Sequence, residues 1–287
     1  MTTRTPAAPA RARRALRTLP AILALAALVG LAPAAGAAGT LTPASITSLA
    51  ATGDSITRAF NTGPLPYVDY PAGSWATGTG ATLESVADRA SAAVGSTIPR
   101  YNDGRSGAKV ADLPGQMATV AGRDVAAVTV LIGGNDVCTS SVSSMTSVAD
   151  FRTRFAATLD AIAADSTHVL VASVPDVYLL WQLFKGSRTA RSVWSTFRIC
   201  QSLLANPTST KAADVERRAA VRQRVVDYNA VLAELCAAAP RCTFDGNAVY
   251  DAGFVAADVT TRDYFHPSAA GQRKLAAAAW AAWFPTP

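Results

Sequence analysis

Val125-Ala126-Ala127-Val128-Thr129-Val130-Leu131-Ile132 is a continuous apolar, largely β-branched run that ends in Gly133-Gly134-Asn135-Asp136. An unbroken apolar strand with no polar alternation suits a parallel strand covered on both faces. Downstream, Phe151, Phe155, Leu159 and Ile162 recur at helical spacing and predict one apolar stripe. Val169 to Val174 is a second apolar strand, stopped by Pro175-Asp176. Strand, helix, strand at these lengths predicts right-handed parallel crossovers and a doubly wound α/β sheet.

The same pattern extends outward. Ile46 to Ala51 reads as a first strand that runs into Thr52-Gly53-Asp54-Ser55-Ile56-Thr57-Arg58. A strand that ends in a tight turn can hold a serine hydroxyl clear of the core, although Gly-Asp-Ser is also an ordinary turn sequence. Phe60 to Gly80 has no helical or strand period and carries Tyr67, Tyr70 and Trp75; it reads as a long loop that either shapes a site or packs on the body. Leu83 to Val94 predicts a helix, and Ile98 to Tyr101 a short strand before the glycine-punctuated turn Asn102 to Ala108. Val177 to Pro207 interleaves aromatics with Lys185, Arg188, Arg191 and Arg198; it reads either as an apolar flap or as a helical excursion with one buried face. Lys211 to Ala239 predicts a long helix, Cys242 to Phe244 a last strand, and Ala269 to Phe284 a closing helix.

The first residues stand apart from this domain. Five arginines and no acids precede Ala37, an apolar run lies between Pro20 and Pro33, and small residues follow to Ala38. That layout predicts a secretory signal peptide over residues 1–38, cleaved near Ala37 or Ala38, and an extracellular protein with one domain over residues 39–287. The apolar run is too short to span a bilayer. The whole chain has 26 basic and 20 acidic residues; without the five leading arginines it carries 21 against 20. A near-neutral domain gives no support for a nucleic-acid partner. About 250 residues suffice for one sizeable α/β core, and a monomer is expected.

All four cysteines lie past the leader, which in an exported chain suggests disulfides. Three pairings are possible, and the short loop around Pro240 favours Cys236–Cys242 with Cys138–Cys200. With no Cys-x-x-Cys and no His-rich cluster, neither a metal nor a cofactor is expected.

Two histidines narrow the search for a base. His168 starts the Val169–Val174 strand, and sites in parallel sheets gather at the opposite, carboxyl ends. His266 lies in Asp263-Tyr264-Phe265-His266-Pro267-Ser268. An acid three residues before a histidine can take its Nδ1–H, leaving Nε2 to accept a proton from Ser55. Ser55, Gly107 and Asn135 follow the first, second and third strands. In a parallel sheet these three turns share one edge, where the N–H groups of Ser55 and Gly107 and the Asn135 amide could meet one oxyanion.

Gly53-Asp54-Ser55, Gly107, Gly133-Gly134-Asn135-Asp136 and Asp263-Tyr264-Phe265-His266-Pro267 resemble, in order, the four signature blocks of the SGNH (GDSL) hydrolase family. The resemblance implies a three-layer, flavodoxin-like α/β/α sandwich. It implies Ser55 as nucleophile, His266 as base, Asp263 as orienting acid, and an oxyanion hole from Ser55, Gly107 and Asn135. Ser74-Trp75-Ala76-Thr77-Gly78, Ser106-Gly107-Ala108 and Gly134-Asn135-Asp136-Val137-Cys138 are similar to segments of the phospholipase B-like branch, which also supports the Cys138–Cys200 pair. The expected activity is hydrolysis of small-molecule or lipid esters, with transient contact with lipid surfaces. A carbohydrate O-acetyl esterase, an acyltransferase and a catalytically silent binding protein are the alternatives.

Overall fold

Five parallel strands order themselves β2-β1-β3-β4-β5 in a single sheet. The strands are β1 (Leu49–Gly53), β2 (Arg100–Asn102), β3 (Ala127–Leu131), β4 (His168–Val171) and β5 (Cys242–Phe244). This architecture comes from a computed structural model that describes residues 1–3, 5, 41–80 and 82–285. The leader expected over residues 1–38 falls almost entirely outside the described residues. Among those described, no helix is long and apolar enough to cross a membrane.

The continuous apolar reading of the strands has a simple cause. Along β1, β3 and β4, successive side chains alternate between two cores. Leu49, Ala51, Ala127, Leu131 and Leu170 enter one, and Ala50, Val128, Val130, Val169 and Val171 the other. The first core is closed by α1 (Val86–Val94) and α9 (Ala269–Trp283), through Val86, Ala90, Leu275, Ala279 and Trp283. The second is closed by α2 (Leu113–Ala121), α4 (Val148–Asp160) and α8 (Ala212–Ala238), through Leu113, Met117, Phe151, Phe155, Val221, Val225 and Leu232. With helices on both faces the strands are largely apolar, and the buried Thr52 of β1 donates its hydroxyl to the Thr129 carbonyl of β3. Phe151 and Tyr228 stack across α4 and α8 with ring centroids 3.9 Å apart. The remaining helices are the four-residue α3 (Gly134–Val137), α5 (Val177–Phe184), α6 (Arg188–Thr196) and α7 (Gln201–Leu204).

Several boundaries move from their sequence expectations. The first helix begins at Val86 rather than Leu83, because Ser85 and Asp88 close a reciprocal cap and fix the first turn there. β1 starts later and runs on through Gly53, pairing with β3 up to Leu131, while β2 is shifted to Arg100–Asn102. Helix α2 was not anticipated: Pro114 at its start and Gly115 inside it obscure a helix whose Met117 and Val120 are buried. The aromatic stretch after Pro175 is the helical excursion: α5, α6 and α7 bury Leu180, Phe184, Trp194 and Leu203 and leave Phe197 and Arg198 in water. The cysteine pairs Cys138–Cys200 and Cys236–Cys242 lie at bonding distance.

Candidate active site

The turn after β1 is built to hold one residue outward. Gly53 has φ +139°, and a Cβ there would lie 2.2 Å from the Leu131 carbonyl oxygen, so only glycine lets β1 close on β3 at this point. Gln116 on α2 grips Gly53 from the outer side, its Oε1 accepting the Gly53 N–H at 2.7 Å and its Nε2 donating to the Gly53 carbonyl at 3.0 Å. Asp54 braces the turn through Oδ1, which accepts the Ile56 N–H at 2.9 Å. Its other oxygen is buried with no hydrogen-bond partner. Burial pushes the Asp54 carboxyl up to about 6, against the smaller opposing pulls of the Ile56 N–H and the His266 ring.

Ser55 is thereby presented to His266 across 211 residues of sequence, with Oγ 2.8 Å from Nε2. The loop that carries His266 is pinned at both ends. Val259 pairs with Pro267, the Thr260 N–H donates to the His266 carbonyl, and Ser268 caps α9. Tyr264 takes the left-handed conformation at the apex, with φ 54°, and its carbonyl accepts the Trp194 indole N–H at 3.2 Å. The excursion of α5 and α6 therefore props this loop, and Phe184 packs edge-on against Tyr264.

Asp263 completes the row. Its Oδ1 accepts the N–H groups of Phe265 and His266 at 2.9 and 3.0 Å, and its Oδ2 lies 2.7 Å from His266 Nδ1. Burial alone would raise this carboxyl. The ring and backbone hydrogen bonds from His266, with that from Phe265, outweigh it and hold Asp263 below the ordinary carboxylate range. A buried ionised acid on Nδ1 assigns the proton there and leaves Nε2 as the acceptor facing Ser55. An imidazole held in this way can take the hydroxyl proton of Ser55 and return it.

Asn135 opens the short helix α3 after β3, and its amide Nδ2 donates to the Ala108 carbonyl at 3.0 Å. That bond uses one of two amide hydrogens and draws the turn after β2, with Gly107, to the mouth of β1 and β3. Gly107 has φ +83°, and a Cβ there would meet nothing within 4 Å, so conformation rather than space calls for glycine. Asp136 locks α3 from below, accepting the Val110 N–H at 3.0 Å and the Thr146 hydroxyl at 2.7 Å. His168 stays away, at the amino end of β4, where burial and Arg241 lower its pKa.

Two residues without any motif signal join this arrangement. Asn61 donates to Asp263 Oδ2 at 2.5 Å and accepts the Tyr67 N–H at 2.5 Å. Asp69 accepts the Ser106 hydroxyl, one residue before Gly107, and pairs with Arg58 at 3.1 Å. The loop expected either to shape a site or to pack on the body does both: Trp75 and Ala76 are buried, while Leu65, Tyr67 and Val68 are exposed.

Ser55, Asn135 and His266 open into a narrow cavity walled by Val177, Leu179, Leu180, Val249, Phe254 and Val259. A second, more open groove reaches Asn135, Asp263 and His266 and is lined by Phe60, Tyr67, Phe197 and Ile199.

The sequence model of the GDSL-like lipase/acylhydrolase family matches residues 51–274. No protein of curated function matches the chain. Among solved structures, the chain resembles LAE5, an α/β hydrolase enzyme from the metagenome of Lake Arreo, Spain, over 83% of its length and 94% of that chain, with TM-score 0.51 and 18% identity. It resembles TesA over 82% of its length and 97% of that chain, with TM-score 0.50 and 19% identity. A mutant of Axe2, an acetyl-xylooligosaccharide esterase from Geobacillus, aligns with 84% of this chain and 97% of its own, with TM-score 0.50 and 17% identity. At such identities the likeness is one of fold.

Proposed function

Because the chain belongs to the GDSL-like lipase/acylhydrolase family, and is a carboxylic ester hydrolase, we propose that it is an exported serine esterase acting on lipid acyl esters through Ser55, His266 and Asp263. The observation that carries the reading is the continuous row from Ser55 Oγ to His266 Nε2 at 2.8 Å and from His266 Nδ1 to Asp263 at 2.7 Å. Ser55 attacks the ester carbonyl as His266 removes its proton, and the negative charge gathers on the carbonyl oxygen. The N–H groups of Ser55 and Gly107 and the free amide hydrogen of Asn135 would receive that oxygen. His266 then protonates the leaving alkoxide, so the alcohol departs and the acyl group stays on Ser55. Water, losing its proton to the same imidazole, releases the acid and restores the serine.

The lipid preference draws on the cavity beside Ser55, whose walls are apolar side chains of α5 and of residues 249–259. Export, and a single hydrolase domain over residues 39–287, draw on the two cysteine pairs and on the one compact unit of residues 38–287. The test is hydrolysis of a panel of esters of increasing acyl length by the wild type and by Ser55→Ala. Turnover that rises beyond acetate and vanishes in the folded Ser55→Ala protein is expected. An active, folded Ser55→Ala would overturn the mechanism, and a steep fall beyond acetate would overturn the lipid preference.

A further inference from the structure

We propose that the groove between Phe60 and Tyr67 on one side and Phe197 and Ile199 on the other is an alcohol subsite that takes an apolar alcohol. The favoured ester would then be apolar on both sides of its carbonyl. This rests on the esterase reading above and adds the leaving group to it.

The division of the two pockets follows from which reacting groups line each. Ser55 lines the enclosed cavity between α5 and residues 249–259, but it does not line the groove. After the first chemical step the acyl group is bonded to Ser55 Oγ, so it belongs in the cavity that Ser55 lines. The bond that breaks frees the alkoxide, which takes its proton from His266 Nε2. His266 and Asn135 line both spaces, so with the acyl group in the Ser55 cavity the alkoxide can leave past His266 into the groove, which Ser55 does not line. An open groove on that side also admits the water that must replace the alcohol.

The chemistry of the groove walls sets the class of alcohol. Phe60, Tyr67, Phe197, Ile199, Phe265 and the Cys138–Cys200 bridge line it. The polar atoms of Asp263 are occupied by His266, Phe265 and Asn61. Asn135 and His266 serve the reacting centre. Besides these the groove offers the Tyr67 hydroxyl, which already lies 3.4 Å from the Arg262 carbonyl. A sugar would bring several hydroxyls into a surface that cannot answer them, whereas an alkyl chain loses nothing there.

A second observation points to a ligand at the same place. Tyr67 and Phe197 stand at the rim with ring centroids 5.7 Å apart, yet they remain 51% and 57% exposed. Two large aromatic rings left in water beside a reacting centre mark a surface that something apolar covers. The chain is also held to put them there. Tyr67 has φ 57° and is fixed by its N–H bond to Asn61, and Arg198, just after Phe197, has φ 52°. Left-handed backbone at non-glycine residues persists where surrounding contacts enforce it.

The test uses four esters below their solubility limits: methyl and hexyl acetate, and methyl and hexyl hexanoate. The wild type should show kcat/KM about tenfold or more higher for the hexyl than for the methyl ester of either acid. Phe197→Asp should lower that hexyl-to-methyl ratio about tenfold and spare the hexanoate-to-acetate ratio, with Phe197→Ala doing so more mildly. Leu179→Asp, in the acyl cavity, should do the reverse, and Val215→Ala, exposed on α8, neither. Melting temperatures report that each variant is folded. A wild-type hexyl-to-methyl ratio near one overturns the proposal. So does Phe197→Asp acting on the acyl ratio instead, or a monoacetylated glucoside turned over faster than hexyl acetate. Failure of the esterase reading is a distinct result: no ester is hydrolysed, or hydrolysis survives Ser55→Ala.

Discussion

Asn61 donates its side-chain N–H to the same Asp263 oxygen that faces the His266 ring, at 2.5 Å against 2.7 Å for the ring nitrogen. The acid of the row is therefore held from the loop after Ser55 as well as from its own loop. A hydrogen bond to a buried charged group is worth roughly 1.5–3 kcal/mol. Asn61→Ala should lower kcat about tenfold or more and change KM little, because the residue orients Asp263 and His266 and touches neither end of the ester. Asn61→Asp should be worse, since it sets one carboxylate against another. Steady-state kinetics on a soluble ester, beside circular dichroism to confirm folding, decide this; a rise in KM alone would remove Asn61 from the role.

Asn135→Ala removes the one side-chain donor expected at the oxyanion and the tie to the Ala108 carbonyl. Loss of such a donor lowers kcat by about 10²–10³-fold in comparable sites. The loss should appear in kcat, with KM moving less, in the same assay.

Asp54 gives the protein a titration of its own. Its folded pKa, about 6, lies above the 3.8 of a solvated aspartate, so the folded state binds the proton more tightly than the unfolded chain. The stability it contributes is thus present at low pH and lost as pH rises between about 4 and 6, an amount on the order of 3 kcal/mol. Asp54→Asn carries no such titration. Its melting temperature relative to wild type should climb across that window and level off above about pH 7. A difference that stays flat from pH 4 to 7 would show that Asp54 ionises normally.

Gly53→Ala combines φ +139° with a Cβ 2.2 Å from the Leu131 carbonyl oxygen, a contact that backbone alone can relieve. A loss of roughly 3 kcal/mol or more is expected in chemical denaturation, together with loss of activity as the Ser55 turn shifts. Gly107→Ala, with open space around the added Cβ, should be the milder of the two.

Removing Cys138–Cys200, which spans 62 residues, should destabilise by about 4 kcal/mol, and Cys236–Cys242, which spans 6, by about 2 kcal/mol in the chain-entropy view. Serine pairs at each position, compared by denaturant midpoint, test the ranking.

Composition and pattern carried the parallel sheet, because strands covered on both faces are largely apolar, and Val125 to Ile132 is apolar at every position but Thr129. The blocks around Ser55, Gly107 and Asn135 stood out because each follows a predicted strand, and His266 because the other histidine, His168, lies at the amino end of β4. Helix α2 stayed hidden because Pro114 and Gly115 look like punctuation, although a proline in the first turn of a helix gives up no hydrogen bond. Asn61, Asp69 and Gln116 could not be found at all. Each acts through a partner 37 to 202 residues away, and no local spacing records such a distance.

The guanidinium of Arg262 donates to the carbonyls of Asn61, Pro64 and Leu65, so the loop after the serine is closed by the residue just before Asp263. This lock has a consequence in time. A chain made from its amino end can tie this loop to Asn102 and Ser106 early, but its bonds to Arg262 and Asp263 wait until those residues have been added. On the proposed reading, Ser55 can gain its base only after His266 has been made, 211 residues later.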